Sequence, residues 1–233
     1  MTSMRRLTAL ASACLALVMA APAGAVVREI GRPEDAPFPL ASCPENCQAV
    51  AQVTGYQVQI GAHKNPYLIN RPGKIVAFTI RLGKPNPDQV TFFRNMFGGP
   101  SRARLSVLKP AKTKRRHRLL AQSDLVDLEP YFGSTPTFAL DRAIRVEKGN
   151  VLALTTPTWT PSFAHGLASD NAWRSSHHAD ECTAQTPPPA AQMNVGSLRI
   201  YGCFYRTARL LYSASFVPDP KPTTPPAENS SRR

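Results

Sequence analysis

Long apolar runs, helical periodicity and acidic residues are all scarce in this sequence. Only Leu7 to Ala20 is predominantly apolar over any length, and it is shorter than the roughly 20 residues a membrane-spanning helix needs. Beyond it no segment sustains the i, i+3, i+4 spacing of an amphipathic helix, which argues against helical bundles. No internal repeat occurs, which argues against solenoids and propellers. Neither a G-x-S-x-G elbow nor an H-E-x-x-H pair is present, so two strong hydrolase signatures are missing. The shortage of acid is marked: 15 Asp and Glu stand against 28 Lys and Arg, a net charge of +13. Such a balance favours acidic partners, among them anionic polysaccharides, lipid headgroups and nucleic acid.

The first residues read as an export signal. Arg5 and Arg6 form a basic region, Leu7 to Ala20 the apolar one, and Ala23-Gly24-Ala25 a small-x-small cleavage site. Cleavage after Ala25 loses only Arg5 and Arg6 among the charged residues, so the remaining chain keeps +11 of the +13. A lipoprotein reading would use Cys14, but Ala11 stands where a lipobox has leucine. The expected location is therefore secreted, without a transmembrane segment.

Without Cys14, four of the five cysteines remain: Cys43, Cys47, Cys182 and Cys203. An even number in an exported chain suggests two disulfides, and four cysteines allow three pairings. Nearness in sequence favours Cys43–Cys47 and Cys182–Cys203. A clasp between the N-terminal and C-terminal cysteines is the alternative. A zinc site would need a repeated spacing that Cys43-x3-Cys47 does not have.

The body of the chain alternates short β patterns with turn residues. Tyr56 to Ile60 alternates apolar and polar residues, as a half-buried strand does. In Ile75 to Leu82 the residues Val76, Phe78, Ile80 and Leu82 share a side. Gly83 to Pro87 ends that strand, and Val90 to Phe97 is aromatic and β-prone. Ala103, Leu105 and Val107 alternate with Arg104 and Ser106. Lys109 to Arg118 is a charged hairpin tip or loop, and Asp124 to Tyr131 is ambiguous between strand and helical turn. Thr135 to Pro157 reads as strand, turn, strand, a hairpin turning at Lys148-Gly149-Asn150. Ser162 to Gly196 is a long, polar, proline-bearing loop. Ser197 to Val217 is β again, and Pro218 to Arg233 has the composition of a disordered tail.

The series Val53 to Ile60, Lys74 to Leu82 and Phe138 to Leu154 carries a V-x-K-G-N-V-L-A-L turn at Val146 to Leu154. In this pattern the chain resembles uncharacterised secreted bacterial proteins drawn as jelly-roll or carbohydrate-binding-like sandwiches. The resemblance implies an all-β sandwich and no particular activity, and it carries over no functional residue.

Two groups of residues are candidate ligand contacts. The cations Lys112, Lys114, Arg115, Arg116 and Arg118, following Lys109, create a strong local field suited to phosphate, sulfate or carboxylate. Trp159 and Trp173, with Phe163, Asp170 and Asn171 nearby, offer aromatic faces and polar neighbours for sugar rings. His177-His178-Ala179-Asp180-Glu181 holds metal-binding atoms, but adjacent histidines in a strand point opposite ways, so no metal is assigned. Ser175-Ser176 beside His177, and the carboxylates Asp141, Asp170 and Glu181, have no spacing that defines a catalytic set. No catalytic residue and no cofactor is assigned.

These observations give an expectation in four parts: a leader at 1–25, an extended segment with a stapled turn at 26–48, an all-β sandwich or jelly-roll-like domain at 49–217 bearing one long stapled loop, and a tail at 218–233. The expected role is a secreted, non-catalytic binding protein for an envelope polysaccharide or other anionic polymer. Export and the lack of a recognition motif argue against nucleic acid. A structural matrix protein without a discrete ligand and a secreted hydrolase are the alternatives. The oligomeric state is not readable.

Overall fold

The computed structural model of the protein describes residues 26–184 and 187–220. The expected leader and residues 221–233 of the expected tail lie outside them. The elements in chain order are β1 (Arg28–Ile30), β2 (Val50–Ile60), β3 (His63–Lys64), β4 (Gly73–Ile80), α1 (Pro87–Phe97), β5 (Arg102–Pro110), β6 (Arg116–Gln122) and β7 (Val126–Asp127). There follow β8 (Thr137–Val146), β9 (Val151–Thr160), β10 (Phe163–His165), β11 (Ala172–Ser175), β12 (Leu198–Ile200), β13 (Cys203–Arg206), β14 (Ala208–Leu210) and β15 (Tyr212–Pro218).

The fold is all-β and sandwich-like. A smaller sheet has the order β1-β15-β4-β8, and a larger one β12-β6-β5-β9-β2-β11-β13, with β3 added to β2 and β7 to β5. The short strands β10 and β14 form a separate pair. In the large sheet Leu105, Val107, Leu152, Leu154 and Val53 point one way, as their shared parity and the pairings Leu105↔Leu154 and Val107↔Leu152 require. They join Ile75, Phe78, Ile80, Tyr212 and Phe216 of the small sheet in one buried core. Tyr212 spans the two layers: its ring stacks on Tyr67 at 4.4 Å, and its hydroxyl donates to the Leu152 carbonyl at 3.1 Å. Burying a side chain the size of leucine contributes about 1.5–3 kcal/mol, so each large residue enclosed in this layer stabilises the packing of one sheet on the other.

Three local expectations change. Thr137–Val146 and Val151–Thr160 are strands, but they do not pair with each other. β8 pairs β4 in the small sheet, whereas β9 lies between β2 and β5 in the large one, so Gly149, at φ 90°, turns an arch between layers. Burial explains the separation: Val151 to Thr156 is covered on both faces, whereas β8 is largely exposed and forms a sheet edge. Second, Val90 to Phe97 is helical. Asn86 caps α1 by accepting from the Gln89 amide, Gln89 reciprocates to Asn86, Pro87 occupies the first turn, and Gly98 ends the helix in the left-handed region. Those caps outweigh the β-propensity of Val90, Phe92 and Phe93. Third, a bulge in β4 between Ile75 and Ala77 shifts the parity, so Ile75 is enclosed and Val76 only partly covered.

The ambiguous stretch 124–131 resolves into β7 followed by a 3-10 turn at Glu129–Tyr131. The expected tail begins later than its composition suggests: Pro218 ends β15, and Asp219 pairs with Arg145. The disulfides are Cys43–Cys47 and Cys182–Cys203. Among the described residues, no helix is long and apolar enough to cross a membrane.

The large sheet curls because one stretch of chain serves both its edges. β12 pairs β6 at one edge, Tyr201-Gly202 turns, and β13 pairs β11 at the other. Inside the curl the sheet face is polar. Thr155 bonds Thr54 at 2.8 Å and Ser106 at 2.6 Å. Much of the expected long loop covers this face. Gln192 accepts from the Tyr201 hydroxyl at 2.9 Å and donates to the Ser197 carbonyl at 2.8 Å, while Ser176 donates to the Ala190 carbonyl at 2.6 Å. The loop is polar in sequence because the surface it covers is polar. It also contains two strands, β10 and β11.

Candidate functional site: a basic face around the curl

The charged run is the tip of the β5–β6 hairpin. Ala111 donates to the Arg116 carbonyl at 2.8 Å, and Arg116 to Thr113 at 3.2 Å. Arg115 sits at φ 63°, a left-handed conformation unusual for arginine, and its carbonyl is held by the Tyr201 amide at 2.8 Å. Strand alternation then sorts β6. His117 and Leu119 point inward, and Arg116, Arg118 and Leu120 outward. Lys109 pairs with Arg118 across the hairpin, extending the outward row. Lys112, Lys114, Arg115, Arg116 and Arg118 are all exposed. Among the described residues none of these five takes part in an ion pair. Arg118 instead donates to the Gly196 carbonyl.

The curl brings a second set of cations to this tip. Arg174 on β11 faces Phe204 on β13 in register, with its guanidinium carbon 4.9 Å from the ring centroid. Arg206 lies over the same ring at 5.2 Å. Burial holds the proton affinity of Arg174 below the usual arginine range, and the nearby charge of Arg115 lowers it further. That coupling places Arg115 within electrostatic reach of Arg174, so the hairpin tip meets the edge strands at Arg115; Arg174, paired in register with Tyr56, shares the inward side with His117, whereas Arg116 and Arg118 face outward. An arginine stacked on an aromatic ring keeps its outward donors for an anion.

No family model matches this chain, and no curated protein or solved structure matches it. The reading therefore rests on the side chains themselves.

The two tryptophans part company. Trp159 is fully enclosed: Phe93 of α1 packs at 5.0 Å, Phe132 at 5.6 Å, and its Nε1 donates to the Gly99 carbonyl at 3.0 Å. It anchors the helix and presents no face to a sugar, which corrects its expected role. Trp173 is 6% exposed and borders a cleft. Being adjacent to Arg174, it lies on the opposite face of β11 from that residue.

His177 and His178 do point opposite ways. His177 is buried, with Nδ1 3.1 Å from Ser175 Oγ, and burial lowers its proton affinity. His178 caps a 3-10 turn, its amide donating to Glu181 at 2.7 Å. Among the described residues no three His, Cys, Asp or Glu side chains converge on a common point. Ser175 is fully enclosed, and Ser176 is committed to Ala190, so neither hydroxyl reaches a substrate. Asp141 sits on β8, Asp170 bonds its neighbour Asn171 at 3.0 Å, and Glu181 caps its own turn, so these carboxylates belong to separate elements.

Sequence inspection passed over Arg174, Phe204 and Arg206. Their signal is the period-2 pattern Trp173-Arg174 and Phe204-Tyr205-Arg206, which puts two cations and a phenyl ring on one face once the strands pair.

Proposed function

We propose that this is an exported, non-catalytic binding protein that holds an acidic polysaccharide of the cell envelope on the face built by the β5–β6 tip, Arg174, Phe204 and Arg206. The observation that carries the reading is the group of exposed cations at Lys112, Lys114, Arg115, Arg116 and Arg118, which have no ion-pair partner among the described residues, with Arg115 in electrostatic reach of Arg174. Anions relieve such like-charge crowding, and guanidinium forks suit carboxylates and sulfates. Two disulfides and the N-terminal leader pattern support export. Burial of Trp159 weighs against a neutral sugar platform at that residue. Packing through sheet edges is disfavoured, because the long edge strand β8 bulges over Leu140 to Ala143 and carries Asp141, Arg142 and Arg145.

The test is retention of residues 26–233 on polygalacturonate beads against neutral dextran beads, at low and high salt. Retention on the anionic matrix alone, lost at high salt, is the expected result. Equal retention on both matrices, or none on either, overturns the reading.

A further inference from the structure

Across the edge strand β13 from the basic face lies a cleft of about 470 Å³. This is within the roughly 300–1,000 Å³ range of small-ligand pockets. Its aromatic walls are Phe97, Phe163, Trp173 and Tyr205. Trp173 stacks on Tyr205 at 4.7 Å and meets Phe163 edge-on at 6.1 Å. The indole is seated over Gly55, where a Cβ would come within 2.9 Å of the ring. Glycine at that position lets the tryptophan settle against β2.

The polar groups give the cleft its chemistry. Trp173 Nε1 is buried and has no hydrogen-bond partner among the described residues, whereas Trp159 Nε1 has the Gly99 carbonyl. A buried donor left unpaired is costly and calls for an acceptor. Arg206 borders the cleft as well as the basic face, and His177 lies along its wall. Among the described residues no Asp or Glu lines it. Thr207, a β-branched residue held at φ 56°, turns the chain beside Arg206 from β13 into β14. Aromatic walls, an unmet N–H, a guanidinium and no carboxylate suit a compact ring rich in acceptors and carrying negative charge.

We infer that the cleft binds one carboxylate-bearing sugar unit, a uronate, of the polymer that lies on the basic face. The assignment rests on the polysaccharide reading above and gives it a recognition site. The polymer crosses the β13 edge at Arg206, which borders the cleft while its guanidinium lies over Phe204 and donates to the Ser169 carbonyl at 3.3 Å. Trp173 Nε1 supplies the donor within the cleft and Arg206 the positive charge at its rim, and the aromatic walls exclude water from the ring.

The experiment is an NMR titration of 15N-labelled residues 26–233 with D-galacturonic acid and its trimer, with D-galactose as neutral control. The chain has two tryptophans, and the Trp173→Phe variant assigns their indole N–H signals. Saturable movement of the Trp173 signal by the uronates, with the Trp159 signal still, is the expected result. Arg206→Gln weakens that binding by about tenfold, the loss of one charge-assisted contact. A Trp173 signal that stays fixed overturns the cleft assignment, as does one that galactose moves equally well. If polygalacturonate beads still retain the protein in either case, the basic face survives and only the cleft is lost. If retention fails too, the polysaccharide reading falls with it.

Discussion

Acidification should destabilise the protein through His117, well before most carboxylates are protonated. The imidazole points into the curl, with Nε2 3.3 Å from the Tyr56 hydroxyl and its ring 4.8 Å from Tyr201. Burial pushes its pKa down to about 4, the Arg174 charge adds to the effect, and the Arg115 carbonyl opposes it. The folded state therefore prefers the neutral ring. In the unfolded chain the group titrates near 6.5, so between about pH 6.5 and 4 the unfolded state binds more protons and stability falls as the pH drops. Above pH 6.5 the contribution is fully present, and below about pH 4 it is gone. The difference corresponds to about 3 kcal/mol. His177, also lowered by burial, acts in the same direction. Urea unfolding of wild type and His117→Gln at a series of pH values from 7.5 to 4.5 isolates the effect. The wild-type curve should fall more steeply, with the gap between the two proteins narrowing toward acid. Parallel curves would refute the assignment of His117 as a neutral, buried ring.

Two further predictions concern the fold. Asn86→Ala removes the side-chain acceptor at the start of α1 and should cost about 1 kcal/mol, read as a lower urea midpoint with an unchanged slope. No change would mean that the capping pair does not hold the helix. The Cys182→Ala/Cys203→Ala double variant opens a loop of sequence separation 21 and should lose roughly 3 kcal/mol by the chain-entropy estimate. A midpoint equal to that of wild type would show that Gln192 and Tyr201 alone hold the curl shut.

How far sequence reading reached depended on how local each signal was. Alternation in Tyr56 to Ile60 and in Ala103 to Val107 belongs to single strands, and both are strands, although Gln57 and Ser106 are buried on the face expected to be exposed because the curl covers it. The hairpin tip at Lys109 to Arg118 is also local, and so are the pairings Cys43–Cys47 and Cys182–Cys203. The helix α1 was legible in principle: Asn86, Pro87, Asp88 and Gln89 spell a capped N-terminus, but the aromatic run behind them reads as strand. Partner choice was not legible. Nothing in Thr137 to Thr160 says that its two strands leave for different sheets, because that follows from how many neighbours β9 acquires elsewhere. The two tryptophans are equally aromatic in sequence, and only the placement of α1 encloses Trp159. The meeting of Arg115, Arg174 and Phe204 requires both the β11–β13 register and the hold of Tyr201 on Arg115, each made by residues far apart in the chain.

The central claim is electrostatic, and its most direct measurement is the salt dependence of binding to soluble polygalacturonate. Wild type should be compared with a variant carrying Lys112→Ser, Lys114→Ser, Arg115→Asn, Arg116→Ser and Arg118→Ser, with asparagine chosen because residue 115 is left-handed. Wild type should lose affinity steeply as salt rises, and the variant's slope in log affinity against log salt should be shallower by roughly 3, on the counterion-release scale for flexible polyanions. Equal slopes and equal affinities for the two proteins would contradict the claim that this hairpin holds an anionic polymer.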